Sequence, residues 1–124
     1  MSEILSILVV DDDPSMASSL TEILDIKGFE VRAANSGAEA LQILRDHPVD
    51  VMLTDVRMPD MNGVELYRAT RKTDPNLRTL LMTAYSDDDI IQKGMAEGIK
   101  TVFTKPVDID LLVSIFSVVK RLTG

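Results

Sequence analysis

Short apolar runs alternate with amphipathic stretches from one end of this chain to the other. Ile7-Leu8-Val9-Val10 and the run from Val49 to Thr54 are continuous and rich in β-branched residues. That is how strands buried on both faces read. The alternation predicts strands near 4–10, 29–34, 49–54, 78–83 and 100–104. It predicts helices near 14–27, 36–47, 63–73, 87–97 and 108–122. Start signals agree: Asp13 is a candidate N-cap with Pro14 at the first helical position. Ser36-Gly37-Ala38-Glu39 and Ser86-Asp87-Asp88-Asp89 both match a capping box. Gly28 and Gly98 follow helices, where a left-handed residue is needed. Strand–helix units with short connections predict a parallel sheet covered by helices on both faces.

At 124 residues the chain is expected to form one domain around one core, residues 1–124. No linker or repeat interrupts it, and no further DNA-binding or catalytic module is expected after the fifth helix. Apolar content of 45% and charged content of 27% are ordinary for a globular protein. No apolar run approaches the length of a membrane span, and the amino terminus lacks signal-peptide character. With no Cys there is no disulfide framework, thiolate nucleophile or Cys-based zinc site. The one His, His47, reads as a solvated helix-end residue. These features point to the cytoplasm, without a membrane partner. A net charge of −7 argues against direct nucleic-acid binding and suits a cation or a basic partner face.

The chemistry gathers where the strands end. The first strand runs into Asp11-Asp12-Asp13 and the third into Asp55. The carboxyl edge of an open α/β sheet is where such folds bind ligands. Like charges brought together there repel, and burying them without a cation is costly. Mg²⁺ or Mn²⁺, with oxygen ligands, resolves the conflict. Asp13 is assigned to helix capping, and Asp87-Asp88-Asp89 to the favourable field of a helix amino terminus. The fourth strand adds Thr83-Ala84 and the fifth Lys105-Pro106. A carboxylate, an acid pair, a hydroxyl and an ammonium on one edge suit phosphoryl transfer to Asp.

The segments Ile7 to Pro14, Asp55 to Gly63, Met82-Thr83-Ala84 and Thr104-Lys105-Pro106 resemble, in order and spacing, the bacterial two-component response-regulator receiver domain. The resemblance covers essentially the whole chain and implies a flavodoxin-like (βα)5 fold with strand order 2-1-3-4-5. It implies that Asp55 accepts a phosphoryl group from a sensor histidine kinase or phosphotransfer protein. Asp12 and Asp55 would ligate Mg²⁺ directly, Asp11 through a water, and the backbone carbonyl of Arg57 would complete the protein's share. Lys105 would contact the acyl phosphate, Thr83 with Ala84 would respond to it, and the bond to Pro106 would be cis. Gly63 would permit a tight turn before the third helix.

The sequence also departs from the family. Where the family usually carries an aromatic switch residue, this chain has Val102. The adjacent Phe103 has the opposite strand parity and should face the other side of the sheet. Arg57 and Tyr85 fill the two variable positions that tune hydrolysis in the family, and Tyr85 is a candidate to occupy the space left at Val102. Thr83-Ala84-Tyr85 resembles receivers joined to transcriptional activators.

The leading reading is a switch rather than a turnover enzyme, assisting only its own phosphorylation and dephosphorylation. An Asp-nucleophile phosphohydrolase is the alternative. The haloacid-dehalogenase-like enzymes place a second Asp two residues after the nucleophile, where this chain has Arg57. A flavin carrier on the same fold would want a phosphate loop after the first strand, and Asp11-Asp12-Asp13 would repel phosphate.

The last helix carries a further expectation. Its apolar arc is about twice the width a surface helix needs to reach one core. Leu112, Phe116 and Val119, with Ile109 and Val113, form the sector expected to pack on the sheet. Leu111, Ile115, Val118 and Leu122 extend it into a row expected to contact a partner, either a second copy or an output domain. The resemblance places that row on the outer face formed by the fourth helix, fifth strand and fifth helix.

Overall fold

In the computed structural model, which describes residues 4–84 and 89–123, with side chains of the last helix to 120, strands and helices alternate strictly. The order is β1 (Ser6–Val10), α1 (Pro14–Ile26), β2 (Glu30–Ala34), α2 (Gly37–Asp46), β3 (Val51–Asp55), α3 (Gly63–Thr73), β4 (Arg78–Thr83), α4 (Asp89–Ala96), β5 (Val102–Thr104) and α5 (Ile109–Thr123). All strand pairs are parallel, in the order β2-β1-β3-β4-β5. This is the flavodoxin-like arrangement expected from the resemblance.

Period-two alternation divides the strand side chains between two faces. Ile7, Val9, Leu53 and Met82 face α1 and α5, where they meet Leu24, Leu112, Phe116 and Val119. Leu8, Val10 and Met52 face α2 and α3, meeting Ala40 and Leu66. Further along that second face, Leu81 joins Val56, Val64, Tyr67 and Ile91. Phe103 lies in the first cluster and Val102 packs against the third, so the two do face opposite sides. Leu112 and Phe116 are fully buried, and each such side chain contributes roughly 1.5–3 kcal/mol. Phe29 meets Phe116 edge-on, with ring centroids 5.3 Å apart.

Helix starts follow the local chemistry, with two differences from expectation. Asp13 caps α1, accepting from Ser15 N at 3.0 Å and Met16 N at 3.4 Å. At α2 only half of the expected box forms. Ser36 Oγ accepts from Glu39 N, while the Glu39 carboxylate accepts from Asn35 N instead of the cap residue. The reciprocal box is at α3, where Asn62 Oδ1 accepts from Glu65 N and Glu65 Oε1 accepts from Asn62 N. Asp108 lies outside α5 and receives Leu111 N on its carboxylate. Gly28 and Gly98 are left-handed at φ 97° and 122°, as their positions after helices require. The candidate box at Ser86 lies outside the described residues. His47 is exposed at the end of α2. No helix among the described residues is long and apolar enough to cross a membrane.

β5 is shorter than the expected range 100–104, starting at Val102. Its register with β4 runs only from Leu81 opposite Val102 to Thr83 opposite Thr104. The partners of β3 on β4 begin three residues earlier, at Arg78. Thr101 receives Leu81 N on its carbonyl but stands before the strand proper.

Candidate functional site

The carboxyl edge of the sheet collects the acids because three neighbouring strands end in step. Val10 lies opposite Thr54 in the β1–β3 register, so Asp11 and Asp55 leave adjacent strands together. Asp11 N donates to Ala34 O, and Asp13 N donates back to Asp11 Oδ1 at 3.0 Å, which turns the chain into α1. Asn35 Nδ2 donates to Asp11 O from β2's side. Ligand oxygens of Asp11, Asp12 and Asp55 all lie within 4.8 Å of one another. Asp11 and Asp55 are buried, whereas Asp12 is exposed at the rim.

Lys105 joins this cluster from β5. Its Nζ lies 3.0 Å from Asp11 Oδ2 and 3.1 Å from Asp55 Oδ2. Burial pushes the Asp55 carboxyl above its ordinary value, Lys105 counters this, and the neighbouring charges of Asp11 and Asp12 reinforce it. Burial disfavours the charge on Lys105, yet the two carboxylates outweigh it and hold the ammonium above its ordinary value. Three carboxylates therefore face one ammonium, which leaves the pocket negative. Hard oxygen donors, spaced to reach one centre and short of positive charge, fit a divalent cation of the Mg²⁺ class.

Thr83 ends β4 beside the cluster and is 1% exposed. Its carbonyl receives Lys105 N at 2.7 Å, which ties the last turn of β5 to β4. Ala84 follows it at the surface, and the Lys105–Pro106 bond is cis. Arg57 is exposed on the loop after β3. Val102 is half-buried against the cluster that contains Tyr67. Tyr67, buried and donating its hydroxyl to Glu97 O, is an aromatic of that cluster supplied by α3. Tyr85 lies outside the described residues.

Two positioning features escaped the sequence. Asp60 on the β3–α3 loop accepts from Gly37 N at 3.2 Å and Ala38 N at 3.0 Å, pinning that loop to the start of α2. Although its slight burial acts the other way, these backbone donors hold its carboxyl below the ordinary value. Gly63 is glycine for a different reason from the expected turn, since its φ is not left-handed. A Cβ there would sit 2.6 Å from Asp55 O, on backbone that cannot yield without moving the acid. Gly63→Ala should cost about 1–3 kcal/mol by overpacking, read as a lower urea midpoint. An unchanged midpoint would show that the loop yields freely.

Comparison with known proteins identifies the family. Residues 7–117 match the response regulator receiver domain family. A response regulator receiver protein of Anaeromyxobacter sp. (strain Fw109-5) is 42% identical over 81% of this chain and 42% of its own length. Sporulation initiation phosphotransferase F of Bacillus subtilis (strain 168) is 36% identical over 84% of each chain. Transcriptional regulatory protein ZraR of Klebsiella oxytoca is 37% identical over 89% of this chain, which spans only 25% of that relative. The CheY-like receiver domain protein of Methanospirillum hungatei JF-1 superposes with a TM-score of 0.87 at 29% identity, covering 98% of this chain and 99% of that one. The chain therefore belongs to the response regulator receiver domains, the phosphorylation-activated switches of two-component signalling.

Proposed function

We propose that residues 1–124 act as one receiver domain whose phosphoacceptor is Asp55. The observation that carries this reading is the position of Lys105 Nζ, bonded to both Asp11 and Asp55 beside a third carboxylate. An Asp55 oxygen attacks the phosphorus of a phosphohistidine on a sensor kinase or phosphotransfer protein. The P–N bond breaks, and its electron pair stays on the imidazole nitrogen. Asp12, Asp55, the Arg57 carbonyl and, through water, Asp11 are the group that would hold Mg²⁺ or Mn²⁺. When bound, the cation offsets charge on the phosphoryl oxygens. Lys105 gives up its bond to Asp55 and meets the phosphoryl group, and the Thr83 hydroxyl donates to it with Ala84 alongside. Arg57 and Tyr85, at the two positions that tune hydrolysis in the family, would set the lifetime of the acyl phosphate. Acetyl phosphate with Mg²⁺ should add one phosphoryl group, labile to base and to hydroxylamine. Stable label, or none, would contradict an acyl phosphate.

We further read the outer face of α4, β5 and α5 as the surface that passes the state on. Leu111 and Val118 are 50% and 47% exposed, one above the other on α5. Ile115 leans on the core beside them, and the side chain of Leu122 lies outside the described residues. Isolated exposed apolar residues are common, but two on one face of a helix, beside a half-buried third, favour a partner. A second copy or an output domain would cover it. Leu111→Asp/Val118→Asp, which spares the core-facing Ile115, should abolish beryllofluoride-dependent dimerisation in sedimentation. Wild type that stays monomeric with the mimic would leave the output-domain contact alone.

A further inference from the structure

At the opposite end of the sheet from the acids, the shortness of β5 leaves a cleft of about 520 Å³ along the open edge of β4, reaching both faces of the sheet. Its volume falls within the roughly 300–1,000 Å³ of small-molecule sites. Arg78, Thr79 and Leu80 have β3 partners on one side and no β5 residue in register on the other. Thr79 lines this space at 7% exposure, and its Oγ1 has no hydrogen-bond partner among the described residues. A buried hydroxyl left so is costly, and a ligand atom would relieve it.

The charge of the cleft opposes that of the chain. Acids outnumber bases 20 to 13 in the sequence, yet Arg71, Arg78 and Lys100 line the cleft and no carboxylate among the described residues does. Arg71 is already oriented, stacked 5.3 Å from the Tyr67 ring centre and donating to Glu97 O. Fixing a guanidinium beforehand lowers the ordering cost of binding. The apolar lining comes from Leu80, Ile115 and Val119. A cation would be repelled here, inorganic phosphate would leave the apolar wall unused, and a neutral alkyl ligand would leave the cations unused.

We propose that this cleft binds a small amphiphilic anion, an alkyl or aryl chain ending in a carboxylate or phosphate. The anionic head meets Arg71, Arg78 and Lys100, and the chain lies on Leu80, Ile115 and Val119. The Thr79 hydroxyl donates to the ligand. The site is separate from the phosphorylation edge, so it stands or falls independently of the reading of Asp55.

Octanoate and octyl phosphate, titrated below their micellar concentrations into the isotopically labelled full chain, test it by NMR. Saturable shifts are expected at amides 78–80 and 100–101 and at the Ile115 and Val119 methyls. The tighter head group identifies the ligand class. Octanol should bind at least about tenfold more weakly, and raised salt should weaken the anions. Arg78→Glu/Lys100→Glu, at two exposed positions, should reduce affinity by a similar factor while uptake from acetyl phosphate is unchanged. Thr79→Val should weaken binding, and Thr79→Ser should restore it. Absence of saturable shifts at these positions, octanol binding as tightly as octanoate, or undiminished binding by the charge-reversed variant would overturn the proposal.

Discussion

Asp55→Asn should take up no phosphoryl group from acetyl phosphate under conditions that fully label wild type. The amide oxygen keeps the shape of the carboxylate but lacks its nucleophilic charge. A fall of more than about 100-fold is expected, which asks for only about 2.7 kcal/mol of lost transition-state stabilisation. The same substitution should stabilise the metal-free protein at neutral pH. Burial and two neighbouring acids raise the Asp55 pKa above 3.8, so its charge is a cost of the folded state. With the folded pKa above the unfolded one, that cost sets in as pH rises through the window from 3.8 to the raised value. The Asn variant should gain most above this window and nothing below it, in denaturation at a series of pH values. A variant that labels as well as wild type would remove Asp55 from its role.

Mg²⁺ should stabilise the fold by about 2.7 kcal/mol when its free concentration is 100 times its dissociation constant. For a chain of this size that is a rise of roughly 10 °C in Tm. The physical source is the shortage of positive charge around Asp11, Asp12 and Asp55, which one ammonium leaves uncorrected. Asp12 is the informative residue to remove. It is exposed at the rim, so its loss disturbs little packing. Asp12→Ala should forfeit most of the Mg²⁺-dependent shift while raising the metal-free Tm through relief of repulsion. A variant that keeps the whole shift would show that Asp12 is not a ligand.

Much of this edge was readable from local pattern. Continuous apolar runs place Asp11 and Asp55 at strand ends, and parity alone assigns Val102 and Phe103 to opposite faces. What escaped depends on contacts between distant segments. The two backbone donors on Asp60 come from α2, more than twenty residues earlier. Gly63 is set by its approach to Asp55 O, a packing distance no turn rule contains. Ser36 and Asn62 both precede a Glu by three, yet only Asn62 forms the reciprocal box. At Ser36 a nearby backbone donor, Asn35 N, captures the Glu39 carboxylate. β5 starts two residues later than expected, at Val102, because Lys100 and Thr101 have no partner in register on β4, whose pairing begins at Leu81.

The most direct measurement is reductive trapping of the labelled protein. Borohydride converts an aspartyl phosphate to homoserine, and peptide mass spectrometry locates the altered residue. With Mg²⁺ and acetyl phosphate, homoserine is predicted at position 55 alone, and none when EDTA is present. Homoserine at position 11 or 12, or trapping at position 55 that persists undiminished in EDTA, would contradict a cation-dependent acyl phosphate on Asp55.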